Sequence, residues 1–180
     1  MTDDRRVLAA RHKVFLLYEG RVTPHRSCGI AMAETFGLPT APYQALRRGG
    51  ITGCGECGVV VAGRLILGQW FGDPDPTGSV TPALRKAITD YEARWPSRIR
   101  RGAAPGDGIV CNVLTGPFAS FGGPERAAFC TALATEVATV VAEIAVEAGL
   151  PLEVTPIPGV PLATFDPARP GAIPGPAPLG

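Results

Sequence analysis

Apolar residues return every three to four positions along several stretches of the chain, and those stretches predict helices. Over residues 3 to 19, Val7, Val14, Phe15 and Tyr18 share one helical face, with Arg11 as its polar member and Gly20 as its stop. Thr23-Pro24 has the form of an N-cap followed by proline at the first helical position. It predicts a second helix carrying Cys28, Ala31, Met32 and Thr35 on one side and ending at Gly37. Pro39 and Pro42 mark a linker, and Tyr43 to Arg48 a short helix. A helix runs from about Cys57 to Phe71, and Thr81-Pro82 opens another whose apolar face is Leu84, Ile88, Tyr91 and Trp95. Residues 96 to 108 are read as loop, and Ile109 to Leu114 fits a short helix or a strand equally well.

The longest helical pattern is 124 to 148, with a stripe of Phe129, Leu133, Val137, Val140, Val141 and Ile144 and a cap at Gly149. Its Ala and Val content allows close packing, and burial has to offset the low helix propensity of the β-branched residues. From Pro151 onward proline and glycine punctuate the chain and no period survives. The expectation is an all-α fold: a compact bundle of about five helices over residues 1–150, with a Pro/Gly-rich C-terminal arm over 151–180. The arm is expected to be extended and partly polyproline-like, with Leu162, Phe165 and Ile173 as anchors.

Composition narrows the function. The 180 residues are 46% hydrophobic and 18% charged, which suits one globular domain rather than a disordered chain. A formal net charge of +1 makes no case for nucleic acid or an anionic membrane as partner. No run reads as long and apolar enough to cross a bilayer, and no signal peptide is evident, so a cytoplasmic location is expected. Apolar stripes on several helices suit a homo-oligomer and a monomer's core alike.

Chemistry concentrates in the cysteines, Cys28, Cys54, Cys57, Cys111 and Cys130. Cys54 and Cys57 form a Cys-x-x-Cys pair inside the glycine-spaced run Gly49-Gly50-Ile51-Thr52-Gly53-Cys54-Gly55-Glu56-Cys57-Gly58. Glycines permit positive φ and close backbone approach, and a helix start favours a thiolate, so Cys57 is expected to be the thiol of lower pKa. Arg47 and Arg48 would favour that thiolate if folded over the loop, and Glu56 would oppose it if turned inward. His25 and Cys28 lie three apart, one helical face's spacing, and with Cys54 and Cys57 would complete a three-sulfur, one-nitrogen zinc set. Alternatively His25 is a solvated first-turn residue and the site is sulfur alone. Cys111 and Cys130 default to core packing; brought to the loop, they would add ligands for an iron–sulfur cluster or another soft metal. The glycine run lacks a Gly-x-x-x-x-Gly-Lys-Ser/Thr pattern, and His12 and His25 are the only histidines, so neither nucleotide binding nor a serine–histidine mechanism is supported.

The cysteine order resembles that of the C_GCAxxG_C_C family, small helical proteins described as redox-active. Cys28 in Ser27-Cys28-Gly29-Ile30-Ala31 corresponds to the first cysteine, Gly53-Cys54-Gly55-Glu56-Cys57-Gly58 to the central motif, and Cys111 and Cys130 to the last two. The resemblance covers residues 20 to 135. One of Cys54 and Cys57 is additional to its pattern, and Gly55 or Val59 stands where the motif has alanine. It implies thiol redox or metal chemistry and supplies no substrate.

Three readings follow. In the first, Cys28, Cys54 and Cys57 carry redox chemistry with a protein partner, Cys57 acting and Cys54 or Cys28 resolving, while Cys111 and Cys130 form a second pair. In the second, the same sulfurs, with or without His25, hold zinc or an iron–sulfur cluster. In the third, the domain is a non-catalytic scaffold that docks through its tail.

Overall fold

The computed structural model describes residues 4–160, and within them the fold is all-α. Six α-helices follow in order: α1 (Arg5–Glu19), α2 (Cys28–Thr35), α3 (Gly58–Phe71), α4 (Pro82–Arg98), α5 (Cys111–Thr115) and α6 (Pro124–Glu147). A 3₁₀ turn, Ala41–Leu46, stands between α2 and α3. Among the described residues the single extended pairing is an isolated antiparallel bridge between Glu56 and Val110.

Local chemistry explains the helix ends. Asp4 caps α1 by accepting from the Arg6 N–H at 2.8 Å, and Gly20 closes it in the left-handed region at φ 76°. Thr81 caps α4 by accepting from the Leu84 N–H at 3.0 Å, with Pro82 just inside. Helix α2 starts later than the Thr23-Pro24 pattern predicts: Ser27 is its N-cap and Cys28 its first residue. The preceding segment is instead tied back to α1, with the Arg26 N–H donating to the Leu17 carbonyl at 2.8 Å. At the other end α4 continues through Pro96 to Arg98, three residues into the predicted loop, and the Arg98 guanidinium donates to both oxygens of buried Glu143 at 3.0 and 3.1 Å.

Helix α6 is the axis of the bundle. It packs most extensively on α1 and also takes α3 and α4. Val137, Val140, Val141 and Ile144 of its predicted stripe are buried, facing Val7, Val14 and Leu17 of α1. Its buried threonines Thr131, Thr135 and Thr139 each donate a hydroxyl to the carbonyl four residues earlier, at 2.8, 2.8 and 2.7 Å, so none of these three hydroxyls is stranded. By length and composition α6 is able to cross a membrane, which corrects the sequence reading that no run is. In this fold 72% of its most apolar window is covered by protein.

The first ten residues after Gly149–Leu150 belong with the domain. Leu152, Ile157 and Val160 are buried in the core, and the Lys13 ammonium donates to the Thr155 hydroxyl at 3.2 Å. Leu162, Phe165 and Ile173 lie outside the described residues.

Helices α3 and α4 approach through Gly63. A β-carbon there would lie 2.3 Å from the Tyr91 hydroxyl, which is buried and donates to the Val60 carbonyl at 2.8 Å. Gly63→Ala should therefore cost about 2 kcal/mol of unfolding free energy by overpacking, read from urea denaturation. An unchanged midpoint would contradict this packing.

Candidate functional site

A clasp between two loops builds the site. The Cys57 N–H donates to the Ile109 carbonyl at 2.7 Å, the Cys111 N–H to the Gly55 carbonyl at 3.0 Å and the Asn112 N–H to the Gly53 carbonyl at 2.9 Å. Residues 109–114 thus take both forms the sequence left open: Val110 pairs as a strand would, and Cys111 starts a helix. The clasp needs glycine at position 49, whose φ is 56° and whose β-carbon would lie 2.5 Å from the Cys111 Cβ. Gly58 serves the same end by close approach. A β-carbon there would meet the Leu46 carbonyl oxygen at 2.0 Å and the Cys28 Cβ at 3.1 Å, so α2 and the 3₁₀ turn sit directly on the start of α3.

Four cysteines from four helix starts and turns converge as a result. Cys28 begins α2, Cys57 is the N-cap of α3, Cys111 begins α5, and Cys130 lies in the second turn of α6. All four line one cavity of about 20 Å³, together with Tyr18 and the apolar side chains of Val59, Leu114, Phe129 and Leu133. That is room for about one water-sized guest. Cys111 is buried, and Cys28, Cys57 and Cys130 are half-buried.

Cys54 and His25 are not among the cavity's lining residues. Cys54 is exposed, with its thiol 3.9 Å from the Thr52 carbonyl oxygen. The clasp explains this: with Gly53 and Gly55 both holding the 109–112 segment, the residue between them points the other way, as alternation in an extended stretch requires. His25 precedes α2 rather than riding on it, and its ring binds the Tyr18 carbonyl on the outside. The expected set of Cys28, Cys54, Cys57 and His25 is thereby corrected: two of its members meet, and their companions are Cys111 and Cys130. Among the described residues no group of three or more His, Cys, Asp or Glu is arranged to hold a metal ion.

The electrostatics also revise the expectation for Cys57. Burial pushes its thiol up to about 12, although the Val59 and Val60 N–H groups at the start of α3 pull the other way. The helix-terminus effect is therefore present and is outweighed by desolvation. Burial likewise pushes Cys111 to about 11, with Cys28 and Cys130 adding to the rise and Arg48 and Arg126 opposing it. Cys130 is raised by burial, against attraction and a hydrogen bond from Arg126 and a further bond from Tyr18. Cys28 adds to the rise at each of the other three thiols, and Cys130 adds to it at Cys57 and Cys111. The Cys28 backbone is left-handed at φ 47°, a conformation that is unfavourable for a residue with a side chain. Glu56 does not turn inward; it pairs with Arg64, which also holds Glu92.

Tyr18 is the functional candidate that the sequence reading counted only as apolar. Its ring is buried, its hydroxyl lies 3.9 Å from the Cys28 sulfur, and burial pushes its own ionisation well above the ordinary range. It therefore stays a neutral hydroxyl that bonds the Cys28 sulfur, either atom able to donate, and favours the anion of Cys130. A buried tyrosine needs a partner for its hydroxyl, and that need was the available signal.

Comparison of the chain with known protein families, with curated proteins and with solved structures gives no match.

Two outcomes follow. The folded Cys57 thiol is raised from 9.0 to about 12, so its contribution to stability is complete below pH 9 and is lost as pH rises toward 12. Urea midpoints should fall over that window, and Cys57→Ala should flatten the fall. Tyr18→Phe should cost about 1 kcal/mol and slow Cys130 alkylation at every pH below the thiol's own titration, because the donor that favours its thiolate is gone. A faster Cys130 reaction would contradict the assignment.

Proposed function

We propose that the protein is a thiol redox protein whose working groups are Cys28, Cys57, Cys111 and Cys130. The carrying observation is the convergence of four thiols from four separate elements on one small cavity. Apolar packing alone does not call for four sulfurs and a shared tyrosine hydroxyl at one point. Cys130 is the entry thiol, because it is half-buried and has both Arg126 and Tyr18 to favour its anion. Cys28, which lines the same cavity and lies next to the Tyr18 hydroxyl, is the resolving thiol. Oxidation joins the two sulfurs and passes two electrons and two protons to a disulfide acceptor. The resemblance to the C_GCAxxG_C_C pattern supports thiol chemistry at Cys28, Cys111 and Cys130, the three positions where its cysteines correspond one to one.

Mild oxidation of the reduced protein, followed by peptide mapping, tests it. The expected result is a disulfide containing Cys28, a free Cys54, loss of the bond in Cys28→Ser and its retention in Cys54→Ser. A Cys54–Cys57 disulfide, or no intramolecular disulfide, would overturn the reading.

A second reading is that the same four thiols hold a soft metal ion such as zinc or the irons of an iron–sulfur cluster. The observation favouring it is the raised ionisation of Cys57, Cys111 and Cys130, since a cation supplies the counter-charge that burial removes. The thiols would have to draw inward to meet it. Elemental analysis of anaerobically purified protein separates the two: stoichiometric zinc or iron lost in Cys111→Ser favours the metal, and metal-free protein with five titratable thiols favours the dithiol.

A further inference from the structure

Two arginines stand near the thiol cluster with no acid among the described residues to neutralise them. Arg48 precedes Gly49, which packs against the Cys111 Cβ, and Arg126 lies one helical turn before Cys130 on α6. The Arg48 and Arg126 guanidinium carbons are 4.7 and 4.5 Å from the centroid of one ring, Phe121, which is 41% exposed. Arg126 also donates to the Phe121 carbonyl. Neither arginine forms an ion pair with an acid among the described residues, whereas Arg11, Arg26, Arg64, Arg94 and Arg98 all do. Two like charges gathered on one exposed ring repel unless an anion joins them.

The backbone supports a role beyond packing. Arg48 has φ 48°, a left-handed conformation in which glycine would be at ease and arginine is not. An exposed arginine at that position carries a local penalty; its guanidinium lies over the Phe121 ring, and the next residue, Gly49, packs on Cys111, which lines the cavity with Cys130. Strain of this kind concentrates at ligand clamps.

We infer that Arg48, Phe121 and Arg126 form the docking site for a small disulfide bearing carboxylates, which binds its carboxylates to the guanidinium pair and presents its S–S bond to Cys130. The inference rests on the dithiol reading above and names the substrate class of that site. Arg fits carboxylate by parallel N–H donors, and the Phe121 ring offers an apolar seat for the carbon chain between carboxylate and sulfur. The Cys130 sulfur attacks one substrate sulfur, the S–S bond breaks, and the departing thiolate takes the proton that Cys130 gave up. The Cys28 sulfur then displaces the second substrate thiolate, which takes the proton of Cys28. The products are one protein disulfide and two substrate thiols, with two electrons moved to the substrate.

The test follows oxidation of reduced, full-length protein carrying Cys54→Ser, so that the exposed thiol is silent. The probes are 3,3′-dithiodipropionate, which is a dianion, and 2-hydroxyethyl disulfide, which is neutral. The dianion should oxidise the protein about tenfold faster at low ionic strength, the advantage should shrink in high salt, and adipate should compete with it. Arg48→Gly, which also relieves the left-handed backbone and so keeps the fold, should remove most of that advantage. A dianion no faster than the neutral probe, or an advantage untouched by Arg48→Gly, overturns the arginine site and leaves the dithiol reading standing. Oxidation by neither probe overturns the dithiol reading and this inference together.

Discussion

Three backbone hydrogen bonds between the glycine loop and residues 109–112 are the constraint on which the rest of the site depends. They fix where α3 begins, where α5 begins, and which face of the loop is turned inward. They join segments more than fifty residues apart in the chain, and Ile109 and Leu114 then share the buried core with Val59. Cys57 and Cys111 are neighbours because their own N–H groups take part in the clasp, donating to Ile109 and Gly55. Cys54 is excluded for the same reason, since the two residues flanking it supply acceptors to the clasp. Backbone pairing, and not the spacing of the cysteines, therefore decides which thiols meet.

The helical bundle supplies the other two. Helix α6, packed along α1, carries Cys130 to the cavity, and α1 brings the Tyr18 hydroxyl to it. Gly58 lets α2 press Cys28 against the start of α3. The resulting cluster is held in low dielectric, where burial outweighs helix-terminus donors and two arginines and raises the titration of Cys57, Cys111 and Cys130. The same balance gives Cys130, and not the helix-capping Cys57, side-chain donors that favour its anion.

The long periodic segments were legible in the sequence because a helix buries a stripe that repeats at its own period. Val7 and Val14 of α1, Tyr91 and Trp95 of α4 and most of the α6 stripe are buried as their spacing requires. Short-range signals did less well where tertiary contacts override them. Thr23-Pro24 reads as a helix start, but the chain there is drawn into pairing with α1 and the helix waits until Cys28. Residues 96 to 108 read as loop, but α4 runs on through Pro96 to Arg98, which reaches buried Glu143. The Cys-x-x-Cys spacing was the most misleading local cue. Its meaning depended on the distant segment 109–112, and no pattern within the loop encodes that pairing. Arg48 and Phe121 were likewise invisible as a unit, since only the fold places them on each other.

The most direct measurement is residue-resolved alkylation of the native, reduced protein at neutral pH, read by peptide mass. A thiol reacts through its anion and its exposure, so the clasp predicts an order. Cys54 should be modified first, Cys130 well behind it, and Cys57 last. Cys57 reacting as fast as Cys54 would mean that the two face solvent together, and would contradict the convergence of Cys28, Cys57, Cys111 and Cys130 on one cavity.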